Sequence, residues 1–337
     1  MGNIGYSGPL PPERFNMAAF CLAPAPHRVP GKVALTVEHG SGAPDRWTYG
    51  ALDEAVQGIA AGLAARGLSQ GDRVMIRIGN TPDAALMFFG AIAGGFVPVP
   101  SSAQLTAEEA RFVLTNSGAA LVAKSPELAL DAGDVPVLLP DDIAALRATP
   151  GEGYADTHRD DPAFLVYTSG TSGTPKGVLH AQRSVWGRKP MVEGWYGLTR
   201  DDVMVHAGAM NWTYTLGVGL SDPWANGAAT VLYNGPKDVT VWPKLIRAHG
   251  GTLFAAVPSL YRQMLRDSDI ASGVPTLRHG LTAGEPLPAR VAEAWATATG
   301  LDLFEALGMS ECSTYISSGP VTPTRAGSPG RAQPGRC

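Results

Sequence analysis

The sequence predicts an α/β protein in which two mostly parallel, helix-covered sheets are stacked as two lobes with a cleft between them. Short apolar runs alternate with segments of helical periodicity along most of the 337 residues, the order that βα units produce. The composition, 45% hydrophobic and 17% charged, suits a chain that buries a large core. Glycine and proline punctuate these segments without a fixed period, which excludes a collagen-like fold.

In the first 125 residues, helices and strands are predicted from the spacing of apolar residues and from residues that typically begin or end a helix. Leu52 to Leu63 carries apolar residues at helical spacing. Capping residues, a proline at a first helical position and glycines mark where the helices begin and end. Three helices are predicted: the first between Thr48 and Gly67, the second between Thr81-Pro82 and Gly94-Gly95, and the third between the Thr106–Glu109 capping box and Gly118. Three strands are predicted at residues 73–78, 96–99 and 119–123.

The second half repeats the alternation after an acidic, Pro- and Gly-bearing stretch. Residues 139–162 have the composition of a connector, and the Pro-rich residues 1–30 are expected to wrap the surface. The segment from Ser317 is rich in Pro, Gly and Arg and is expected to contribute little to the core. Strands are predicted at 163–167, 203–206, 228–233, 252–257, 280–283 and 301–305. The predicted domains are a first lobe at 1–160, a second lobe at 161–316 that carries an anion-binding loop, and the start of a truncated subdomain at 317–337.

Charge and cysteine content restrict the classes of partner. The 26 Lys and Arg residues against 30 Asp and Glu give a formal charge of −4, so no basic surplus favours nucleic acid or an anionic membrane. The longest apolar stretch, residues 86–100, is too short to span a bilayer.

Three distant cysteines without a C-x-x-C pair argue against structural zinc and a disulfide framework. A reducing, cytoplasmic location is expected.

A glycine- and hydroxyl-rich loop is the most informative segment. It reads Thr168-Ser-Gly-Thr-Ser-Gly-Thr-Pro-Lys176-Gly177 and follows a short apolar strand. Gly170 and Gly173 allow backbone amides to turn toward an anion, and Lys176 adds a positive charge. Five hydroxyl donors surround them: Thr168, Ser169, Thr171, Ser172 and Thr174. This combination predicts a polyphosphate ligand.

Two familiar loops are excluded by the same residues. A Walker A loop that starts at Gly170 requires glycine at 175 and serine or threonine at 177, where this chain has Pro175 and Gly177. A serine-hydrolase elbow around Ser172 lacks its final glycine, because residue 174 is threonine. A flexible, hydroxyl-rich hairpin without a ligand is the structural alternative.

The segment YTSGTSGTPKGV resembles the signature of the acyl- and aryl-CoA synthetases in the adenylate-forming superfamily. Three later segments resemble further family segments in the expected order: Thr252–Pro258, Leu281–Pro288 and Leu307–Glu311. The resemblance runs from about Asn16 to the end of the sequence and is greatest to the benzoate–CoA ligase branch. Met210–Tyr214 and Pro223–Thr230 are also similar to the acetate and medium-chain branches.

The resemblance implies an ATP site and a metal ligand. Ser310 and Glu311 are expected at one edge of the cleft, where Ser310 binds a phosphate oxygen and Glu311 holds Mg²⁺. Lys176 and Glu311 are expected to act in catalysis. Leu307 departs from the family's usual aromatic residue, so the residue that stacks on adenine is left open. The implied ATP-binding residues are Thr168, Ser169, Gly170, Thr171, Ser172, Gly173, Thr174, Lys176, Ala283, Gly284, Glu285, Pro286, Ala306, Leu307, Gly308, Met309 and Ser310.

The resemblance also implies a pocket for the carboxylic acid. Trp212 and Tyr214 are candidate flat walls and Asn211 a polar donor; core packing is the alternative for Trp212 and Tyr214. His206 lies at a strand end, and a structural role is the alternative for it. The implied pocket residues are His206, Asn211, Trp212, Tyr214, Ala283, Gly308 and Met309.

The implied activity is that of an acid–thiol ligase with ATP, Mg²⁺ and coenzyme A, acting on an aromatic or medium-chain carboxylic acid. The family's later segments, including the small C-terminal domain with its catalytic lysine, are not found in this sequence. The chain resembles the large N-terminal portion of such a ligase, for which weak turnover is expected. A non-catalytic nucleotide- or carboxylate-binding module, or a degenerate paralogue, is the alternative. The sequence has no coiled-coil heptad pattern from which an oligomeric state could be predicted.

Overall fold

The computed structural model describes residues 9–168, 175–325 and 327–334. The strands are β1 Val33–His39, β2 Asp45–Thr48, β3 Arg73–Arg77, β4 Val97–Pro100, β5 Leu121–Lys124, β6 Val137–Leu138, β7 Pro162–Thr168, β8 Lys176–Ala181, β9 Val203–His206, β10 Ala229–Asn234, β11 Leu253–Ala256, β12 His279–Ala283, β13 Leu303–Met309, β14 Ser313–Ser317 and β15 Arg331–Ala332. The α-helices are α1 Met17–Leu22, α2 Tyr49–Ala65, α3 Pro82–Ala93, α4 Ala107–Ser117, α5 Pro140–Arg147, α6 Lys189–Met191, α7 Asp222–Ala225, α8 Val241–Ala248, α9 Pro258–Asp267 and α10 Ala289–Thr299.

A nine-stranded sheet forms the larger layer, in the order β15-β14-β13-β12-β11-β9-β10-β1-β2. Its six inner strands, from β13 to β1, are parallel, and antiparallel strands complete both edges. Every residue of β11 and β12 is buried, as expected for parallel strands covered on both faces. Within the described ranges, no helix is long and apolar enough to cross a membrane.

A four-stranded parallel sheet, in the order β4-β3-β5-β6, forms the second layer. The helices beside it begin and end where the sequence predicts. The Thr48 hydroxyl accepts a bond from the Ala51 N–H at the start of α2, and the Thr106–Glu109 capping box starts α4. Gly118 ends α4 in the left-handed conformation. The prediction of stacked, mostly parallel, helix-covered sheets is therefore confirmed.

The N-terminal segment and the predicted connector contribute more core than expected. Helix α1 lies in residues that were expected to wrap the surface, yet Met17 and Leu22 are buried. Asn16 caps α1 and donates from Nδ2 to the Ile92 carbonyl of α3 at 3.1 Å. Helix α5 lies in the predicted connector, and its Ile143 and Leu146 are buried. The expectation that the first 30 residues wrap the surface was wrong for α1, because its short apolar face is buried; the role of residues 139–162 as a connector stays a prediction.

Strand pairing crosses the predicted boundary at residue 160. Strand β1 pairs with β10 in the large sheet. The β7–β8 hairpin buries Phe164 and Val166 in the cluster that also contains residues of α2 and α3. The chain from Ser317 adds β15 to a sheet edge and buries the polar Gln333, but none of its described residues belongs to a hydrophobic core cluster, as expected. The division at residue 160 stays a prediction about domains and does not describe the sheets.

Candidate functional site

A cleft of about 730 Å³ opens between the two layers. Its walls come from residues at or just after the carboxyl ends of β4, β7, β12 and β13, the edge at which open parallel sheets bind ligands. Nine of the residues predicted from sequence line it together: Thr168, Asn211, Trp212, Tyr214, Ala283, Gly284, Gly308, Met309 and Ser310. Segments that are up to 142 residues apart in sequence are thus brought to one place.

The predicted anion loop begins and ends at this cleft. Strand β7 ends at Thr168 and β8 begins at Lys176, and these two residues pair across the hairpin. Thr168 and Pro175 line the cleft, and Lys176 is exposed beside them. The predicted loop residues Ser169, Gly170, Thr171, Ser172, Gly173 and Thr174 lie outside the described residues. A phosphate-binding role for the loop stays a prediction.

A tight turn between β13 and β14 carries Ser310 and Glu311. Met309 pairs with Ser313, and the Cys312 N–H donates to the Met309 carbonyl at 3.3 Å. The strand register shifts between Leu307 and Gly308. A Cβ on Gly308 would lie 2.7 Å from the Ser313 carbonyl oxygen, so glycine is needed for this close approach.

The turn places its two functional candidates differently. Ser310 lines the cleft, whereas the exposed Glu311 lines an adjoining cavity of about 340 Å³. The expectation that both face one cleft edge is therefore corrected. Arg188, Thr213 and Ser313 line both spaces and lie at their boundary.

The donor set near this turn suits a magnesium ion that remains partly hydrated. Among the described residues, no group of three or more His, Cys, Asp or Glu side chains could enclose a metal ion. Mg²⁺ prefers oxygen ligands and commonly binds through one or two carboxylates, waters and substrate phosphates. Glu311 would supply the carboxylate, whereas the Ser310 hydroxyl is expected to bind a phosphate oxygen; both roles stay predictions.

Besides Lys176 and Glu311, five predicted residues do not line the cleft: His206, Glu285, Pro286, Ala306 and Leu307. Glu285 is exposed and accepts a hydrogen bond from the Ser259 hydroxyl at 3.2 Å. Ala306 is buried within β13, whereas Leu307 is 43% exposed. Leu307 is therefore accessible to a base, although the cleft as it stands does not extend to it.

The predicted acid pocket has one exposed wall and one anchored wall. Trp212 and Met309 line the cleft with 53% and 52% of their surface exposed, so Trp212 is not a core residue. The Tyr214 hydroxyl donates to the Leu281 carbonyl at 3.3 Å, and its ring stacks on Trp195 with centroids 6.1 Å apart. Burial raises the pKa of Tyr214, which keeps its hydroxyl neutral. Tyr214 is a rigid wall that also packs against the core.

His206 lies behind Tyr214 and is 1% exposed. Its ring meets the Tyr214 ring edge-on with centroids 4.7 Å apart. Nδ1 accepts a hydrogen bond from the Gly208 N–H at 2.9 Å, and Nε2 has no hydrogen-bond partner among the described residues. Burial lowers the pKa of His206 to about 3. The geometry favours the structural alternative, a neutral histidine that supports Tyr214.

Acid should destabilise the protein through His206. Its folded pKa of about 3 lies below the unfolded value of about 6.5, so the unfolded chain takes up the proton first. This contribution to stability is therefore lost as the pH falls from about 6.5 toward 3, by up to about 1.4 kcal/mol per pH unit. We expect His206→Gln to reduce that slope in urea titrations from pH 7.5 to 4.5. Data above pH 7 give the packing cost of the substitution, and an unchanged slope below pH 6 would contradict the assignment.

Two groups of site residues were missed from the sequence. The first lobe contributes an entire wall through Pro100, Ser101, Ser102, Leu105, Glu109 and Val113. Their position after strand β4 was an available signal, since ligands bind at strand ends. Arg188 and Ser313 were the second group, and no local pattern distinguishes them.

Two stacked, mostly parallel sheets with a cleft at their strand ends define the α/β class of this fold. Residues 22–336 match the family described as AMP-binding enzyme, and the chain belongs to that family. The family resemblance stated from YTSGTSGTPKGV is confirmed.

Two bacterial CoA ligases are among its relatives. The chain is 35% identical over 284 residues to a 4-hydroxybenzoate–CoA/benzoate–CoA ligase of Rhodopseudomonas palustris, covering 78% of this chain and 52% of that protein. It is 32% identical over 346 residues to a benzoate–CoA ligase of Thauera aromatica, covering 96% and 64%. The chain thus spans about half to two thirds of the length of these relatives. A benzoate CoA ligase structure from Burkholderia xenovorans LB400 is similar with a TM-score of 0.83 at 26% identity, covering 95% of this chain and 66% of that one.

Proposed function

We propose that the chain is the nucleotide- and acid-binding part of an acid–thiol ligase. The observation that carries this proposal is the convergence of nine sequence-predicted residues on one cleft. The parent reaction joins a carboxylate to the α-phosphorus of ATP and releases pyrophosphate. The thiol of coenzyme A then attacks the acyl carbonyl, and AMP leaves.

The residues of this chain supply positioning and electrostatic stabilisation. Lys176 and Thr168 meet at the base of the loop, where they are suited to hold phosphate oxygens as negative charge moves between them. Ser310 lies across the cleft and offers a hydroxyl donor. Mg²⁺, when bound near Glu311, would neutralise phosphate charge. The work is that of binding and orientation, which needs no covalent enzyme intermediate.

We propose an aromatic carboxylic acid as the substrate class. Trp212, Tyr214 and Met309 line the cleft with flat or apolar surface, and Asn211 offers a polar group among them. Such walls suit a ring that is held on its faces. Both bacterial relatives are named for benzoate. Medium-chain aliphatic acids are the competing class within the same pocket.

Thermal unfolding with ligands tests this proposal. The chain would be unfolded with Mg·ATP, with each of about a dozen aromatic and aliphatic carboxylates, and with every pair. A ligand at a hundred times its Kd adds about 2.7 kcal/mol of stability. We expect Mg·ATP to raise the melting temperature and benzoate-like acids to raise it further. A chain that responds to none of these ligands would contradict the proposal, and a response to aliphatic acids alone would contradict the substrate class.

A further inference from the structure

Arg188 is a buried charged residue at the wall of the cleft, with 8% of its surface exposed. Its Nε and Nη2 atoms donate to the Asp222 carboxylate at 2.8 and 2.6 Å. Nη2 also donates to the Tyr196 hydroxyl at 3.1 Å, and that hydroxyl donates to Asp222 at 2.7 Å. The guanidinium is therefore held in one orientation by charge-assisted hydrogen bonds.

From this fixed position, Arg188 reaches the turn between β13 and β14. Its Nη1 atom donates to the Ser313 hydroxyl. Ser313 pairs with Met309 and closes the turn that contains Ser310 and Glu311. A cation anchored on Asp222 thus holds the end of the segment that carries the proposed phosphate and metal ligands.

The backbone of Ser313 has a conformation that residues other than glycine rarely adopt. In the described part of the chain, Ser313 is the one non-glycine residue with a positive φ, 60°. Glycine adopts this conformation without steric cost, whereas serine keeps the hydroxyl that Arg188 binds. Backbone strain of this kind is found where the surrounding structure imposes it, often at functional sites.

Space for the guanidinium is provided by Gly217. A Cβ at that position would lie 2.3 Å from Arg188 Nη2, which is closer than nonbonded atoms approach. The helical turn over Thr215–Ser221 therefore allows Arg188 to lie between Asp222 and the β13–β14 turn. The close approach of Gly217 to the guanidinium and the positive φ of Ser313 are two independent observations, and both accompany the contact between Arg188 and the turn.

We propose that Arg188 is a positioning residue that sets the β13–β14 turn, so that Ser310 faces the cleft and Glu311 faces the adjoining cavity. This inference rests on the proposed function, because it concerns the same Mg·ATP site. Arg188 acts through Ser313, since its charge is matched by Asp222 and each terminal nitrogen already has a protein partner. Outer groups that orient metal-binding residues typically change metal affinity by about 10–100-fold when altered.

Two substitutions break the contact from opposite ends. Ser313→Gly removes the hydroxyl and relieves the positive φ, so we expect its melting temperature to stay close to that of the wild type. Arg188→Lys keeps a positive charge beside Asp222 but removes the planar group that reaches Asp222, Tyr196 and Ser313 together. The matched control is Arg278→Lys, whose arginine pairs with the buried Asp202 at 2.8 Å and does not line the cleft.

The measurement is the Kd for ATP by calorimetry, once with excess Mg²⁺ and once with EDTA. We expect Ser313→Gly and Arg188→Lys to weaken Mg·ATP binding about tenfold or more and to weaken binding in EDTA by a clearly smaller factor, since only the Ser310 contact to phosphate is affected there. Arg278→Lys should leave both values unchanged. A merely structural role would weaken binding equally in both conditions.

The outcomes separate this inference from the proposed function. In one outcome, the wild-type chain binds Mg·ATP while both variants keep the wild-type ratio between the Kd in Mg²⁺ and the Kd in EDTA. That result overturns the positioning role alone. An equal loss in both conditions also overturns it. Wild-type chain that binds no ATP overturns the proposed function, and the positioning role with it.

Discussion

Replacing Lys176 by alanine is expected to raise the Kd for Mg·ATP by about ten- to a hundredfold. Lys176 begins β8 opposite Thr168, at the point where the predicted anion loop leaves and rejoins the sheet. The side chain is exposed beside the cleft, so its ammonium group is available to a phosphate. A hydrogen bond to a charged group contributes about 1.5–3 kcal/mol, which corresponds to the stated range.

Calorimetry with Mg·ATP checks this expectation, and Lys244→Ala is the matched control. Lys244 is an exposed lysine on α8 that does not line the cleft, so its removal should leave the Kd within about twofold. Raising the salt concentration should reduce the difference between Lys176→Ala and the wild type, because an exposed charge is screened. Equal affinities of the Lys176 and Lys244 variants for Mg·ATP would remove Lys176 from the site.

The parts of the site that were predicted correctly are those that local sequence determines. Thr168, Gly284 and Gly308 lie within one residue of the ends of strands, where glycine and hydroxyl residues follow apolar runs in a recognisable order. Parallel strands then bring these ends to one edge. The cleft could therefore be predicted without knowing how its far wall is built.

The parts that were missed depend on contacts between distant residues. Arg188 and Asp222 are 34 residues apart, and Arg188 and Ser313 are 125 residues apart. No spacing rule relates them, so their ion pair and hydrogen bond appear only when the chain is folded. The position of Glu311 was misjudged for the same reason, since a tight three-residue turn sends neighbouring side chains into different spaces.

The fold shows the same division between local and distant information. Helices α2 and α4 begin at capping threonines and α3 at Pro82, and the structure begins and ends all three close to the predicted residues. Helix α1 has six residues, too few to be stable alone. Tertiary packing stabilises it, and sequence periodicity does not report that packing.

Trp224→Ala is expected to lower the free energy of unfolding by about 3–5 kcal/mol. Trp224 is 1% exposed on α7, and its ring lies 4.9 Å from the Phe89 ring of α3. Its Nε1 donates to the Ala34 carbonyl of β1 at 3.0 Å. One side chain thus joins a helix beside the small sheet to a strand of the large sheet. Truncation leaves a cavity and an unpaired carbonyl at that junction.

Urea denaturation followed by far-ultraviolet circular dichroism measures this loss, with two comparison variants. Trp212→Ala removes an exposed tryptophan at the cleft and should change stability by no more than about 0.5 kcal/mol. Trp224→Phe retains most of the ring volume but leaves the Ala34 carbonyl without its donor, so an intermediate loss of about 1–3 kcal/mol is expected. If Trp224→Ala and Trp212→Ala proved equally stable, Trp224 would not join the two layers. We expect stability to increase from Trp224→Ala to Trp224→Phe to the wild type. The first difference measures the packing of the ring, and the second measures mainly its hydrogen bond.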